Sequence, residues 1–237
     1  MEFKVFNDPE ALKTLLLTLW TGVMPTVRIF AFTILLSVPL GIILAAGRVS
    51  KNRLIKAPIS LYIYIIRSTP LMLQLLFAYF FLSKLTWNPV LTAIFGEKRT
   101  DFPTRCIIYM FSLNYAAYFA EIFRGGIQAI HVGQKEAAKV LGMSRLQSFF
   151  RVQLPQIFKN VMPSLTNEFV TLVKDTSIAK VISVSIDNRT ILHVAERQVS
   201  ALSSIEPYIL VLVFFLVFNG IVEQGCKFIE RRMDYYR

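Results

Sequence analysis

Long apolar runs separated by short polar breaks set the pattern of this chain. Runs near ~20 residues match the hydrocarbon thickness of a bilayer. Five of them are predicted to span a membrane, at residues 22–46, 57–82, 105–124, 159–182 and 207–228. They are continuously apolar rather than alternating, which argues against the strands of a β-barrel. Residues 13–20, with Leu15, Leu16, Leu17, Leu19 and Trp20, belong at the interface or at the start of the first span; Trp is favoured at that depth. Pro39 predicts a kink in the first span, and Pro70 one in the second, where it frees the carbonyl of Ile66. The expected fold is an all-α membrane protein, residues 1–237 forming a single transmembrane domain with five transmembrane helices.

The longest polar break between spans, residues 133–155, does not read as a loose loop. Glu136, Ala137 and Ala138 begin a good helix-forming run. Gly142 can take the left-handed conformation that ends a helix. Ser144 stands three residues before Gln147, the spacing of a capping box opening a second helix. Leu146, Phe149, Phe150 and Leu154 recur on one helical face, with Arg145, Gln147, Ser148 and Arg151 off it. Pro155 is expected to close the unit. Two short helices hinged at a glycine make a rigid knob that a partner could grip.

Charge decides the orientation. Five spans put the termini on opposite sides. Residues 47–56, 124–160 and 226–237 hold 14 Lys and Arg, against 8 in residues 1–13, 83–105 and 184–206. The positive-inside rule then makes the first set cytoplasmic. The N-terminus is expected outside, the C-terminus inside, and the knob between spans three and four in the cytoplasm. The same distribution explains a formal charge of +11 without nucleic acid. Cys106 and Cys226 read as small apolar fillers with no disulfide or metal spacing. His131 and His193 fall in different compartments and cannot share a metal. Tyr235 and Tyr236 beside Arg231 and Arg232 predict an interfacial anchor.

Span four carries a polar stripe. Advancing about 100° per residue, Ser164, Asn167, Glu168, Thr171, Lys174 and Asp175 share one arc, and Leu165, Phe169, Leu172 and Val173 lie outside it. A charge near the bilayer centre costs at least ~2.5–3.5 kcal/mol on insertion scales, so the stripe must avoid lipid. It either lines a polar solute route or glues the helix bundle. In span two, Arg67 and Thr69 precede Pro70, and Gln74 follows one turn on. A kink beside a buried charge is a candidate gate or binding point, or a structural Arg bonded to freed carbonyls. Glu121 and Arg124, at i and i+3, are expected to pair at the cytoplasmic end of span three.

Glu136-Ala137-Ala138, three residues, Gly142, nine residues, Val152, one residue, then Leu154-Pro155 resembles the coupling-helix motif of ABC-importer membrane subunits. Arg67-x-Thr69-Pro70, Glu121-x-x-Arg124-x-Gly126, Gly133-Gln134 and Lys174-Asp175-Thr176-Ser177 are similar to the polar amino-acid branch of that family. The family more often has Ile at the position of Val152, and an apolar residue where Asp187-Asn188-Arg189 places charge. The resemblance implies a type I importer fold in the bacterial cytoplasmic membrane. It implies two ATP-binding subunits below, a second permease chain, alike or different, and a solute-binding protein outside. No cofactor is expected on this chain; ATP and Mg belong to the partner, since no Gly-x-x-x-x-Gly-Lys-Ser/Thr phosphate loop is present. Of the other classes, a membrane enzyme lacks a His-Glu-x-x-His or Gly-x-Ser-x-Gly signature. An ion-gradient-driven carrier or channel for a small polar solute is permitted by the stripe but has no need of the knob.

Overall fold

The structure is a computed structural model that describes residues 5–85, 88–95, 102–182 and 189–233. Asp187, Asn188, Tyr235 and Tyr236 lie outside the described residues. Among the described residues every regular element is helical: α1 (Pro9–Arg48), α2 (Arg53–Ser68), α3 (Leu71–Lys84), α4 (Pro89–Phe95), α5 (Phe102–Gln128), α6 (Val132–Val140), α7 (Arg145–Ser148), α8 (Leu154–Asp175), α9 (Ile191–Leu202) and α10 (Glu206–Arg232). A wide π-type turn, Phe149–Gln153, joins α7 to α8, and a 3-10 segment, Thr176–Ile182, continues α8.

Among the described residues three helices, α1, α5 and α10, are long and apolar enough to cross a bilayer, and α2 with α3 make a fourth such segment if the bent pair is one span. The helix α1 takes in residues 13–20 without a break and runs past Pro39 as one helix. At 1.5 Å per residue it is about 60 Å long, twice the hydrocarbon thickness. The kink expected at Pro70 is a full break, with α2 and α3 bent by 107° across it. Pro70 sits at the N-terminal cap of α3 in extended conformation, where its missing N–H is no loss. The expected fourth span divides at Asp175, and its charged stripe keeps α8 out of the apolar set. Two segments read as loops contain helices: α4 in 83–104 and α9 in the stretch before α10.

The chain forms two compact units interleaved in sequence. One takes the chain before Ser37, Thr69–Leu113 and Thr171–Gly220. Its apolar cluster joins Leu15 and Leu19 of α1, Ile191, Val194 and Ala195 of α9, and Val211 of α10. Buried Glu206, at the start of α10, accepts hydrogen bonds from the backbone N–H of Val5 at 3.0 Å and Phe6 at 2.9 Å and from the Ser204 hydroxyl at 2.7 Å. A carboxylate out of water needs such donors, and it holds the segment before α1 in place. The start of α9 is seated by Thr26, whose hydroxyl accepts from Ile191 N–H at 3.0 Å. Beside it, a Cβ on Gly22 would stand 2.5 Å from the Ile191 Cα and 2.7 Å from its nitrogen. Backbone cannot swing away as a side-chain tip can. Gly22→Ala is therefore expected to cost about 1–3 kcal/mol, read as a lower unfolding temperature of the purified protein in detergent.

The other unit takes Ser37–Ser68, Asn114–Val170 and the chain from Ile221. Its cluster sets Ile63 of α2 against Ala117 and Ala120 of α5, with Leu44, Ile59, Tyr62 and Ile66 packed around them. Small residues let the helices close up, which matters in lipid, where apolar contact alone gives little drive to associate. Gly41 lies against Phe119, and Gly126 of α5 against Val161 and Ile157 of α8. Phe119 meets Phe169 edge-on at 5.7 Å.

Candidate functional site

The knob is built by local chemistry. The helix α6 ends at Leu141, and Gly142 has φ +73°. The Met143 N–H reaches the Ala138 carbonyl and the Gly142 N–H the Lys139 carbonyl, both at 3.0 Å. These are the two bonds of a Schellman motif, which needs a left-handed residue at Gly142. Ser144 then caps α7: its hydroxyl accepts from Gln147 N–H at 3.2 Å, and its own N–H donates to Gln147 Oε1 at 2.9 Å. The helix stop and the capping box fall where the residue spacing predicts them.

Pro155 does not close the unit as expected. It lies in the first turn of α8, and the chain stays helical from Arg145 to Asp175. The reason is the wide turn before it. Leu154 N–H bonds to the Phe149 carbonyl, five residues back. The widened turn makes room for the proline ring, which would otherwise strike the carbonyl of Arg151. The turn also shifts the apolar face. Leu146, Phe149 and Phe150 are exposed, while Leu154 is half-buried.

Within the knob Ala138 is buried and α6 packs on α7 and the wide turn. The Gln156 side chain donates to the Val152 carbonyl at 2.9 Å and to Gln134 Oε1 at 3.4 Å, bracing the start of α6 against the start of α8. Glu136, Ala137 and Arg145 are exposed. So are large apolar side chains: Val140 at 87%, Leu141 at 75%, Leu146 at 71% and Phe150 at 60%. The braced helix pair therefore holds apolar residues outward, the kind of surface that marks interaction sites in general.

The residues expected on a solute route are placed as follows. Gln74 Nε2 donates to Thr69 Oγ1 at 2.6 Å and to the Thr69 carbonyl at 3.1 Å, so Gln74 satisfies backbone left open at the break between α2 and α3. Arg67 is exposed and sits over the Tyr118 ring, 5.3 Å from its centroid. It borders a polar cleft of about 460 Å³ with Arg48, Ser60, Ile63, Tyr64, Ser68, Tyr118 and Glu121. On α8 the stripe is set outward: Ser164, Asn167 and Lys174 are exposed, and Glu168, Thr171 and Asp175 are partly so. The opposite positions Leu165, Leu172 and Val173 are buried.

Glu121 and Arg124 pair as their spacing predicts, with Arg124 Nη2 2.6 Å from Glu121 Oε2. A third member has no signal in the sequence: Arg48 Nε lies 3.4 Å from Glu121 Oε1. Its Nη1 also donates to the Ser60 hydroxyl at 2.6 Å. Among the described residues no cluster of His, Cys, Asp and Glu could hold a metal ion.

The structure thus joins helices long and apolar enough to cross a bilayer with a braced helix pair whose apolar side chains are exposed. Residues 37–235 match the family of binding-protein-dependent transport system inner membrane components, and the chain belongs to that family. It is 32% identical over 203 residues to the nopaline transport system permease protein NocM of Agrobacterium fabrum, covering 85% of this chain and 82% of that one. It is 33% identical over 218 residues to the arginine transport system permease protein ArtQ of Bacillus subtilis, covering 90% of each. The crystal structure of an amino acid ABC transporter with histidines superposes with a TM-score of 0.78 at 29% identity, over 98% of this chain and all of that chain.

Proposed function

We propose that the chain is the permease subunit of an ATP-driven importer of polar amino acids, providing the solute path and taking its drive from a separate ATPase. The observation that carries this reading is the knob: a glycine-hinged, capped helix pair with Val140, Leu141, Leu146 and Phe150 held out in water. The permeases it resembles are named for nopaline and arginine, which supports a solute of the amino-acid class. Two ATPase subunits, each with ATP and Mg, would grip two knobs, one on this chain and one on a second permease chain. A solute-binding protein would deliver from outside the bacterial inner membrane. The topology that fits is five crossings with the N-terminus outside, which brings the knob to the cytoplasm.

The solute path is assigned to the stripe of α8 with Arg67, Thr69 and Gln74. Lys174 suits a carboxylate, and Glu168 or Asp175 an ammonium. Nucleotide-dependent closure of the ATPases would favour one of two arrangements of the spans, because it contacts them differently.

Co-purification tests this. The tagged chain is expected to bring down an ATPase whose turnover rises with binding protein and a polar amino acid. Uptake that persists in ATP-depleted vesicles, driven by an ion gradient alone, would instead make the chain a secondary carrier.

A further inference from the structure

We propose that Glu121 is a positioning residue: gripped by Arg48 and Arg124, it makes the C-terminal end of α1, and α2 with it, move as one body with α5 and the coupling segment. The proposal rests on the functional reading above and adds a part to it.

Glu121 is largely shielded, its side chain 15% exposed. Both carboxylate oxygens are engaged, Oε1 by Arg48 and Oε2 by the Nε of Arg124 at 2.8 Å and its Nη2 at 2.6 Å. The forked grip is Arg124's and fixes the carboxylate on α5; Arg48 reaches it from α1 by a single charged contact at 3.4 Å. The Arg124 guanidinium also donates to Gln128, the last residue of α5. After three intervening residues the chain enters α6 at Val132. Arg48 is the last residue of α1, and its second contact is Ser60 of α2. The carboxylate thus ties α1 to α5 at the end from which the knob leaves, and Arg48 ties α1 to α2 through Ser60.

The other contacts among these helices differ in kind, and one of them, Arg67 of α2 over the Tyr118 ring of α5, is itself charged. Gly126 seats α5 on Val161 and Ile157 of α8, so the two helices that flank the knob are already locked. The cluster of Ile63, Ala117 and Ala120 joins α2 to α5, but smooth apolar packing resists shear weakly. A directional charge contact resists it. Movement imposed on the knob would reach α5 and α8 directly, α1 through Glu121, and α2 both through the bond of Arg48 to Ser60 and through Arg67 over Tyr118.

The test uses the wild-type permease in proteoliposomes with its co-purifying ATPase and binding protein, and reads solute taken up per ATP hydrolysed. Arg48→Gln leaves the pair of Glu121 and Arg124 intact, so it probes the link between helices alone. Arg48→Gln and Glu121→Gln are each expected to lower the ratio about tenfold, the worth of one lost charge-assisted contact. Assembly and hydrolysis without solute should hold. Glu121→Asp and Arg48→Lys should recover part of the ratio. A role in stability alone would lower the yield of complex and leave the ratio unmoved. A wild-type ratio in Arg48→Gln overturns the proposal, whether or not Glu121→Gln accumulates. Absence of ATP-dependent uptake by the wild type would instead remove the functional reading and this proposal with it.

Discussion

Gly142→Pro is expected to abolish uptake and detach the ATPase, while Gly142→Asn keeps most of both. The glycine holds φ +73° with nothing within 4 Å of a would-be Cβ, so space is not at issue; the backbone alone decides. Proline is locked near φ −65° and has no N–H to give to the Lys139 carbonyl. Both bonds of the helix stop would be lost, and Ser144 would no longer cap α7 in its present direction. The expected penalty is about 3 kcal/mol, on the order of a hundredfold in the population of the docked knob. Asparagine tolerates the left-handed region and keeps the N–H. The comparison is read as ATPase recovered per permease after purification, with ATP-dependent uptake beside it. Equal recovery with Gly142→Pro would mean that the angle between α6 and α7 does not matter to the partner.

What the sequence made legible was what local chemistry determines. Gly142, Ser144 and Gln147 lie within six residues, and each acts on backbone a few positions away, so spacing alone predicts the hinge and the cap. The pairing of Glu121 with Arg124 is equally local. Pro155 shows where this fails. The rule that proline ends a helix assumes a normal turn before it, and the wide turn at Phe149–Gln153 removes that condition. Nothing in Phe149, Phe150, Arg151, Val152 and Gln153 announces it. Arg48 stands 73 residues from Glu121, and only packing brings them together. The helix α9 was hidden for another reason. Its buried residues, Ile191, Val194 and Ala195, have helical spacing, but the segment is too short and too polar to stand out among longer apolar runs. The break at Pro70 was legible as a position, whereas its 107° depends on what each half packs against.

Lys174→Ala and Glu168→Ala are expected to lower uptake by about tenfold or more each, the worth of a lost charge-assisted contact with solute, while the ATPase still co-purifies. Lys174 sits on the face of α8 opposite buried Leu165, and Glu168 at the edge of the same arc, beside buried Leu172. That face is exposed or partly exposed along its length, from Ser164 to Asp175. A role as glue inside this chain's own bundle would bury Ser164 and Lys174, which are exposed, although Asn167, Glu168, Thr171 and Asp175 already interact within the chain. Lipid is a poor cover, since each charge at the bilayer centre would cost ~2.5–3.5 kcal/mol or more. The proposed solute path fits this face, because solute and water can meet charges of both signs. Loss of uptake with assembly intact, and with solute-stimulated hydrolysis reduced in step, would place the path there. Wild-type uptake in both variants would move the path off α8 and leave its stripe as a contact between permeases.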